Sequence, residues 1–336
     1  IFFHLDFLKL NYNIFMLYNI KKPFAIHHIN VDKYKIYFEE YGSPDGIPIL
    51  FLHGGPGSGC TERHKAIFNY KKFRVIFLDQ RGAGKSAPKG STYKNTTQHL
   101  IDDIERVRNY LNISAWLIVG GSWGATLAVA YSEIHYDRVY GIIVRSLFLA
   151  TKKELEWAFF DAALKFRPKL ISDINKALNL KSLQNPIPSL GKMLDSKSFK
   201  KKCLAAELWL EYEGNLSTLE SKDNRIESIL KNKDYSDRRL RNLPNTPFIE
   251  WHYIKNNFFL KENNLIENAY KLNNIPGSII QGRYDLLCPP INAYQIAKKW
   301  KSGELIVVDE GAHAANSDPM RSVLVNAIKD LAIKLF

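Results

Sequence analysis

Cysteine is scarce in this chain of 336 residues. Cys60, Cys203 and Cys288 stand far apart and form no CxxC pair, which excludes a disulfide framework and a thiolate zinc site and suits a reducing cytoplasm. Blocks of like charge are also missing. The formal net charge is +13, but the lysines are scattered and often sit beside asparagine, as in "SILKNKDYSD". Scatter of this kind argues for compositional bias and against a nucleic-acid surface. Long uncharged apolar runs are absent too. The oily N-terminus "IFFHLDFLKLNYNIFMLYNI" holds His4, Asp6 and Lys9 and has neither a basic leader nor a small-residue cleavage site. It is therefore a poor signal peptide and a poor membrane span, and no stable membrane association is expected. Residues 1–24 read as an extension ahead of the fold, with Met16 a candidate start. Internal repeats and low-complexity tracts are lacking.

What is present is a core. Hydrophobic residues make up 46% and aromatics 12%, enough for one large domain with an insertion or for two domains. Apolar runs bounded by glycine and proline predict buried strands at "YKIYFEEYG", "IPILFLHGG", "FRVIFLDQRG", "AWLIVGGSWG", "VYGIIVRSLF", "PGSIIQGRYD" and "GELIVVDEGAH". Helical spacing lies between several of them, as in "NTTQHLIDDIERVRNYLNI", "ATLAVAYSEIHYD" and "INAYQIAKKW". Strands alternating with helices predict an α/β fold with a mainly parallel sheet. Residues 150–261 break the rhythm, being helical and charged. They read as a cap inserted into a core of residues 25–149 and 262–336.

"FLDQRGAGKS" ends like a phosphate-binding loop. Such a loop needs a glycine five residues before Gly84, where its backbone curls around a phosphate, and that position is Asp79. The nucleotide reading fails there. A stronger signal is "VGGSWGAT", a G-x-S-x-G that follows an apolar strand and opens a helix. That context makes Ser122 the serine of a nucleophile elbow, at a helix N-terminus that favours developing negative charge. "FLHGGPGSG" follows an earlier strand, where a hydrolase of this kind draws an oxyanion donor. The amides of Gly55 and Trp123 are the expected donors. His53 precedes the serine in the chain and is expected to shape the loop. The order serine, acid, histidine then selects Asp285 beyond a late strand and His313 beyond the last one. Asp309 competes for the acid, but lies only four residues before His313.

Taken together, "HGGPGSG", "DQRGAGKS", "GGSWGATLAVAYSE", "GRYDLLCPP" and "EGAH" resemble the proline iminopeptidases of the α/β-hydrolase fold, from about Tyr34 to the C-terminus. The resemblance implies a loop flanking the active site at "DQRGAGKS". It also implies two cap glutamates that bind a substrate's N-terminal ammonium. Glu213 in "LWLEYEGNLS" and Glu250 in "FIEWHYIKNNFF" match them. Arg145 matches an arginine at the core–cap junction that could pair with Glu213, and Phe148 matches a pocket phenylalanine. Three departures stand out. Ser146 occupies a position that is usually glycine, Ala158 replaces an aromatic, and "AANSDPM" follows the histidine where the family has serine and an acidic stretch.

The implied protein is a cytoplasmic serine peptidase that removes N-terminal proline through an acyl-enzyme, with Ser122, Asp285 and His313 as its triad and no metal or cofactor. An aminopeptidase of broader specificity, an esterase, and a non-catalytic binder on the same fold stay open as alternatives. Oligomeric state is not legible.

Overall fold

The structure, a computed structural model, describes residues 18–220, 225–232, 236–315 and 319–336. The candidate start at Met16 and the Asn-Ser-Asp of "AANSDPM" lie outside them. Eight strands form one sheet in the order β1-β2-β4-β3-β5-β6-β7-β8. They are β1 (Ala25–Val31), β2 (Tyr34–Gly42), β3 (Ile47–Leu52), β4 (Phe73–Asp79), β5 (Trp116–Gly121), β6 (Val139–Arg145), β7 (Gly277–Gly282) and β8 (Gly303–Val308). From β4 to β8 every pairing is parallel, whereas β2 runs antiparallel to both β1 and β4.

Seven strands coincide with the apolar runs read from the sequence, and the fold is that of the α/β hydrolases. Strand β1 was not anticipated. It is an edge strand in which exposed and half-buried residues alternate, so "AIHHINV" shows no continuous apolar run. Its period-2 alternation was the available signal.

The parallel strands are buried on both faces because helices cover both. The short helix after β3 is α1 (Glu62–Lys65), and on one face of the sheet Leu50, Leu52, Ile76, Leu78, Ile118 and Val144 pack with α2 (Thr97–Tyr110) and α3 (Trp123–Ile134). On the other, Ile49, Phe51, Val75, Phe77, Val119 and Ile143 meet the C-terminal helix Met320–Leu335. Successive strand residues thus serve opposite cores, as a pleated backbone requires. Each such side chain, fully buried, contributes about 1.5–3 kcal/mol.

Among the described residues every regular element between β6 and β7 is helical. The longest helix of this stretch is Phe199–Leu216, capped by the Ser198 side chain. A π-helical turn, Trp157–Asp161, interrupts another. Among the described residues no helix is long and apolar enough to cross a membrane.

The loop after β4 ties these parts together. Arg81 is fully buried and donates from Nε and Nη2 to both oxygens of Asp103 on α2, at 2.5 and 2.8 Å. Its Nη1 reaches Asp32 at 3.0 Å and the Lys94 carbonyl at 2.9 Å. Lys85 and Ser86, the residues that imitate a phosphate loop, are committed elsewhere. Lys85 pairs with Glu39 at 2.6 Å, and the Ser86 hydroxyl donates to the Asp79 carbonyl at 2.6 Å. Gly84 presses on the Asp79 carboxylate so closely that an added Cβ would lie 2.1 Å from it.

This arrangement yields a stability prediction. Arg81→Met removes the bidentate partner of the buried Asp103 carboxylate, leaves it only the half-exposed Arg106 at 3.1 Å, and should cost about 3–5 kcal/mol, read as a lower urea midpoint. Lys85→Met removes an exposed partner and should cost no more than about 1 kcal/mol. Equal costs would mean that Arg81 is not the tie.

Candidate active site

Ser122 stands where β5 turns into α3. Its φ of 56° and ψ of −125° are unusual for a residue with a side chain. Two glycines make this turn possible. A Cβ on Gly124 would lie 2.1 Å from the Leu52 carbonyl oxygen, and one on Gly120 would lie 2.3 Å from that of Gly124. The helix therefore packs directly on the sheet, and the serine is pushed out at its edge. The Ser122 N–H donates to the Arg145 carbonyl at 2.9 Å, which anchors the turn to β6.

His313 follows β8, and Asp285 follows β7. The His313 Nδ1 lies 3.0 Å from both Asp285 oxygens. Asp285 Oδ1 also accepts from the Leu287 and Cys288 amides, at 3.0 and 2.8 Å. Burial alone would push this carboxyl up. His313 and the Cys288 amide outweigh it, so the group lies below the ordinary carboxylate range. Asp309 instead forms an exposed ion pair with Arg283, away from His313.

The loop after β3 lies against the elbow, with a Cβ on Gly54 only 3.1 Å from the Gly121 carbonyl oxygen. Gly55 has a φ of +106°, a conformation suited to glycine. Trp123 is the first residue of α3, so its amide has no acceptor within the helix. His53 is fully buried, and its Nε2 accepts from the Gln80 N–H at 3.0 Å. Nδ1 lies 2.9 Å from the Gly54 carbonyl oxygen and 3.2 Å from the Gly59 amide nitrogen, so both ring nitrogens are engaged by the loop. Gln80 completes the frame. Its amide nitrogen donates to the His53 carbonyl, and its Oε1 accepts from Trp123 Nε1, both at 2.9 Å.

Ser122, His313, Gly55, Arg145, Phe148, Glu213 and Glu250 all line one cavity of about 650 Å³. Glu250 is buried on helix Thr246–Ile254, and its Oε2 accepts from Trp209 Nε1 at 2.7 Å. Trp209 and Glu213 lie four residues apart on Phe199–Leu216 and share a face. Glu213 and Glu250 line the same cavity and lie close enough for each to act on the other's ionisation. Burial raises both carboxyls, and the negative charge of Glu213 raises Glu250 further. The two therefore share a proton, as close buried carboxylates do.

Comparison with known proteins fits this geometry. The family model described as "alpha/beta hydrolase fold" matches residues 47–319. A probable proline iminopeptidase of Leptolyngbya boryana is 37% identical over 87% of this chain and 89% of its own length. The proline iminopeptidase of Neisseria gonorrhoeae is 34% identical over 95% of this chain and all of its own length. The chain belongs to the proline iminopeptidase family. Solved structures add the fold alone. A hydrolase from Pseudomonas aeruginosa PA01 superposes with a TM-score of 0.61 at 13% identity, covering 91% of this chain and 98% of that one. A proline iminopeptidase-related protein from Thermus thermophilus gives 0.56 at 19% identity, covering 93% and 98%.

One expectation carried by the family resemblance needs correction. Arg145 does not pair with Glu213. Its guanidinium donates to the His313 carbonyl and, at 3.0 Å, to Ser146 Oγ. The reason is position, because β6 ends beneath the elbow and delivers this side chain to the histidine loop. Ser146 sits at a φ of 50°, and its hydroxyl donates to the same His313 carbonyl at 3.2 Å. The hydroxyl thus provides a bond that glycine would lack, at a backbone conformation that glycine would favour.

Phe148 packs edge-on against Phe258, with centroids 4.9 Å apart. Ala158 does line the cavity, and the following Phe159 lines it too. The π-helical turn around them shifts which side chains face inward.

Sequence reasoning overlooked Gln80, Trp209 and Phe159. Gln80 lay inside the quoted "DQRG", and the spacing of Trp209 from Glu213 was a readable signal. Cys288 was also unassigned. Its sulfur, an Asp285 oxygen and a His313 nitrogen fall within 4.8 Å of one another. That set is a poor metal site. Burial, and then the charge of Asp285, push the thiol up, so it stays protonated, and His313 Nδ1 is already bonded.

The carboxyl pair generates a pH prediction. In the unfolded chain these groups ionise near pH 4.3, whereas the folded protein retains the proton. Stability therefore falls as pH rises above about 4.5, until the raised folded pKa is passed. Glu250→Gln keeps the protonated shape permanently. Its stability relative to wild type should grow with pH, by at most about 1.4 kcal/mol per unit. Urea melts across that window measure it, and a pH-independent difference would contradict the shared proton.

Proposed function

We propose that this chain is a serine aminopeptidase that releases N-terminal proline from peptides. The observation that carries the reading is the half-buried Glu213 and the buried Glu250, paired in the wall of the cavity that holds Ser122 and His313. A secondary ammonium has two N–H groups to give, and two carboxylates at a closed end receive both and leave no room for a preceding residue. On binding, the cation displaces the shared proton and removes the cost of two buried acids. The pyrrolidine ring rests on the apolar wall of Phe148, Ala158 and Phe159. The helical stretch between β6 and β7 then acts as a cap that carries the specificity.

Ser122 attacks the proline carbonyl. His313 Nε2 takes the hydroxyl proton, while Asp285 fixes the imidazole through Nδ1–H and stabilises the imidazolium. The Gly55 and Trp123 amides receive the oxyanion. His313 then protonates the leaving amine, and water attacks the acyl-enzyme by the reverse path. No step calls for a metal or cofactor. The three cysteines are free, in keeping with a cytoplasmic place of action. A broader aminopeptidase is the second reading, favoured by the small Ala158 in the pocket wall. Cleavage rates on Pro- and Ala-arylamides separate the two.

Ser122→Ala should lower kcat on a Pro-arylamide on the order of 10⁶-fold with the fold intact. Asp285→Asn should cost roughly 10⁴-fold, whereas Asp309→Asn should cost little. The opposite ranking of the two aspartates would reassign the acid.

Glu213→Gln and Glu250→Gln should each lower kcat/KM for Pro-arylamides by roughly 10- to 150-fold, the worth of one charged hydrogen bond. N-acetylated proline esters carry no cation and should be far less affected. Equal losses on both substrates would make these glutamates structural supports.

A further inference from the structure

The cavity wall includes a cation that the reaction described above does not use. Arg63, on the short helix Glu62–Lys65 after β3, lines the cavity together with Ser58, Thr61 and His64. Its neighbours in charge are all committed. Arg145 is bound to the His313 carbonyl, and His313 to Asp285. His64 accepts from the Thr61 amide, and burial first, then nearby positive groups, bring it down to about 3, so it is neutral. Glu62 is held by Lys65 at 2.9 Å. Arg63 itself is exposed and has no salt bridge or hydrogen bond among the described residues.

Its placement indicates what it would meet. Arg63 also lines an adjoining cavity of about 210 Å³, together with Gly54, Gly121, Ala314 and Ala315. It therefore borders both the oxyanion loop and the segment immediately after His313. A substrate with its ammonium on the glutamates and its scissile carbon at Ser122 sends its leaving amine toward His313. In a short peptide the terminal carboxylate follows within one or two residues of that amine, at about 3.5 Å per residue.

We propose that Arg63 is a subsite for the C-terminal carboxylate of short peptides, so that dipeptides and tripeptides with a free carboxylate are preferred. The proposal rests on the aminopeptidase reading. Acid and cation at separate parts of one cavity make it complementary to a zwitterion, positive at one end and negative at the other.

The test uses four peptides: Pro-Ala, Pro-Ala-Ala and the C-terminal amide of each. kcat/KM is measured for wild type and Arg63→Gln. The wild type should favour each free acid over its amide by roughly three- to tenfold at low salt, as for a partly screened ion pair. That ratio should fall toward one in Arg63→Gln, and in the wild type at about 1 M salt. The ratio is taken within each protein, so a general change in activity cancels. Wild type that cleaves all four peptides with a ratio near one, or a ratio that Arg63→Gln leaves unchanged, overturns the subsite alone. Failure to release proline from any of the four overturns the aminopeptidase reading, and the subsite with it.

Discussion

The bond network around Gln80 and Arg81 is the constraint on which the site depends. Gln80 touches the oxyanion loop through His53 and the elbow through Trp123. Arg81 fastens the same loop to α2. Its carbonyl accepts from Asn95 at 3.0 Å, and Asn95 in turn receives the Tyr253 hydroxyl at 2.9 Å from the helix that carries Glu250. Asn245, just before that helix, donates to the Gly82 carbonyl at 3.1 Å. One short loop thus joins the elbow, the loop after β3 and the helix that carries Glu250. Fixed polar groups of this kind make catalysis possible without rearrangement during the reaction.

The helix of Glu213 is tied to the His313 loop by a separate route. The Glu213 carbonyl accepts from the Ser217 N–H at 2.9 Å, and the Ser217 carbonyl accepts from the Ala314 N–H, also at 2.9 Å. One backbone bond, from the Ala314 N–H to the Ser217 carbonyl, thus joins the end of the Glu213 helix to the segment after His313. Electrostatics differ between the two acid sites for a physical reason. Asp285 has an imidazole and two amides to offset its burial, and it stays ionised. Glu213 and Glu250 have chiefly each other and Trp209, so burial keeps both carboxyls above the ordinary range.

Much of this was legible in the sequence because strands and elbows are local. Buried parallel strands are continuous apolar runs, and the small residues around Ser122 are required by the turn itself. The chain order of Ser122, Asp285 and His313 follows from which strand ends face one edge of the sheet. The edge strand β1 escaped because one of its faces is wet. The pairing proposed for Arg145 failed because an arginine can reach in several directions, and spacing does not say which. Phe159 was missed because a π-helical turn displaces the pattern by a residue.

By itself, then, the chain determined the α/β-hydrolase fold, the elbow at Ser122 and the family, since each depends on short-range patterns of glycine and apolar residues. Only the tertiary structure decided how the separate parts meet. It brought Asp285 to His313 across 28 residues, set Glu213 against Glu250, and turned Lys85 and Ser86 away from any phosphate role. Those outcomes are long-range. They depend on which buried polar groups find partners once the sheet and its helices have closed, and no local pattern encodes that choice.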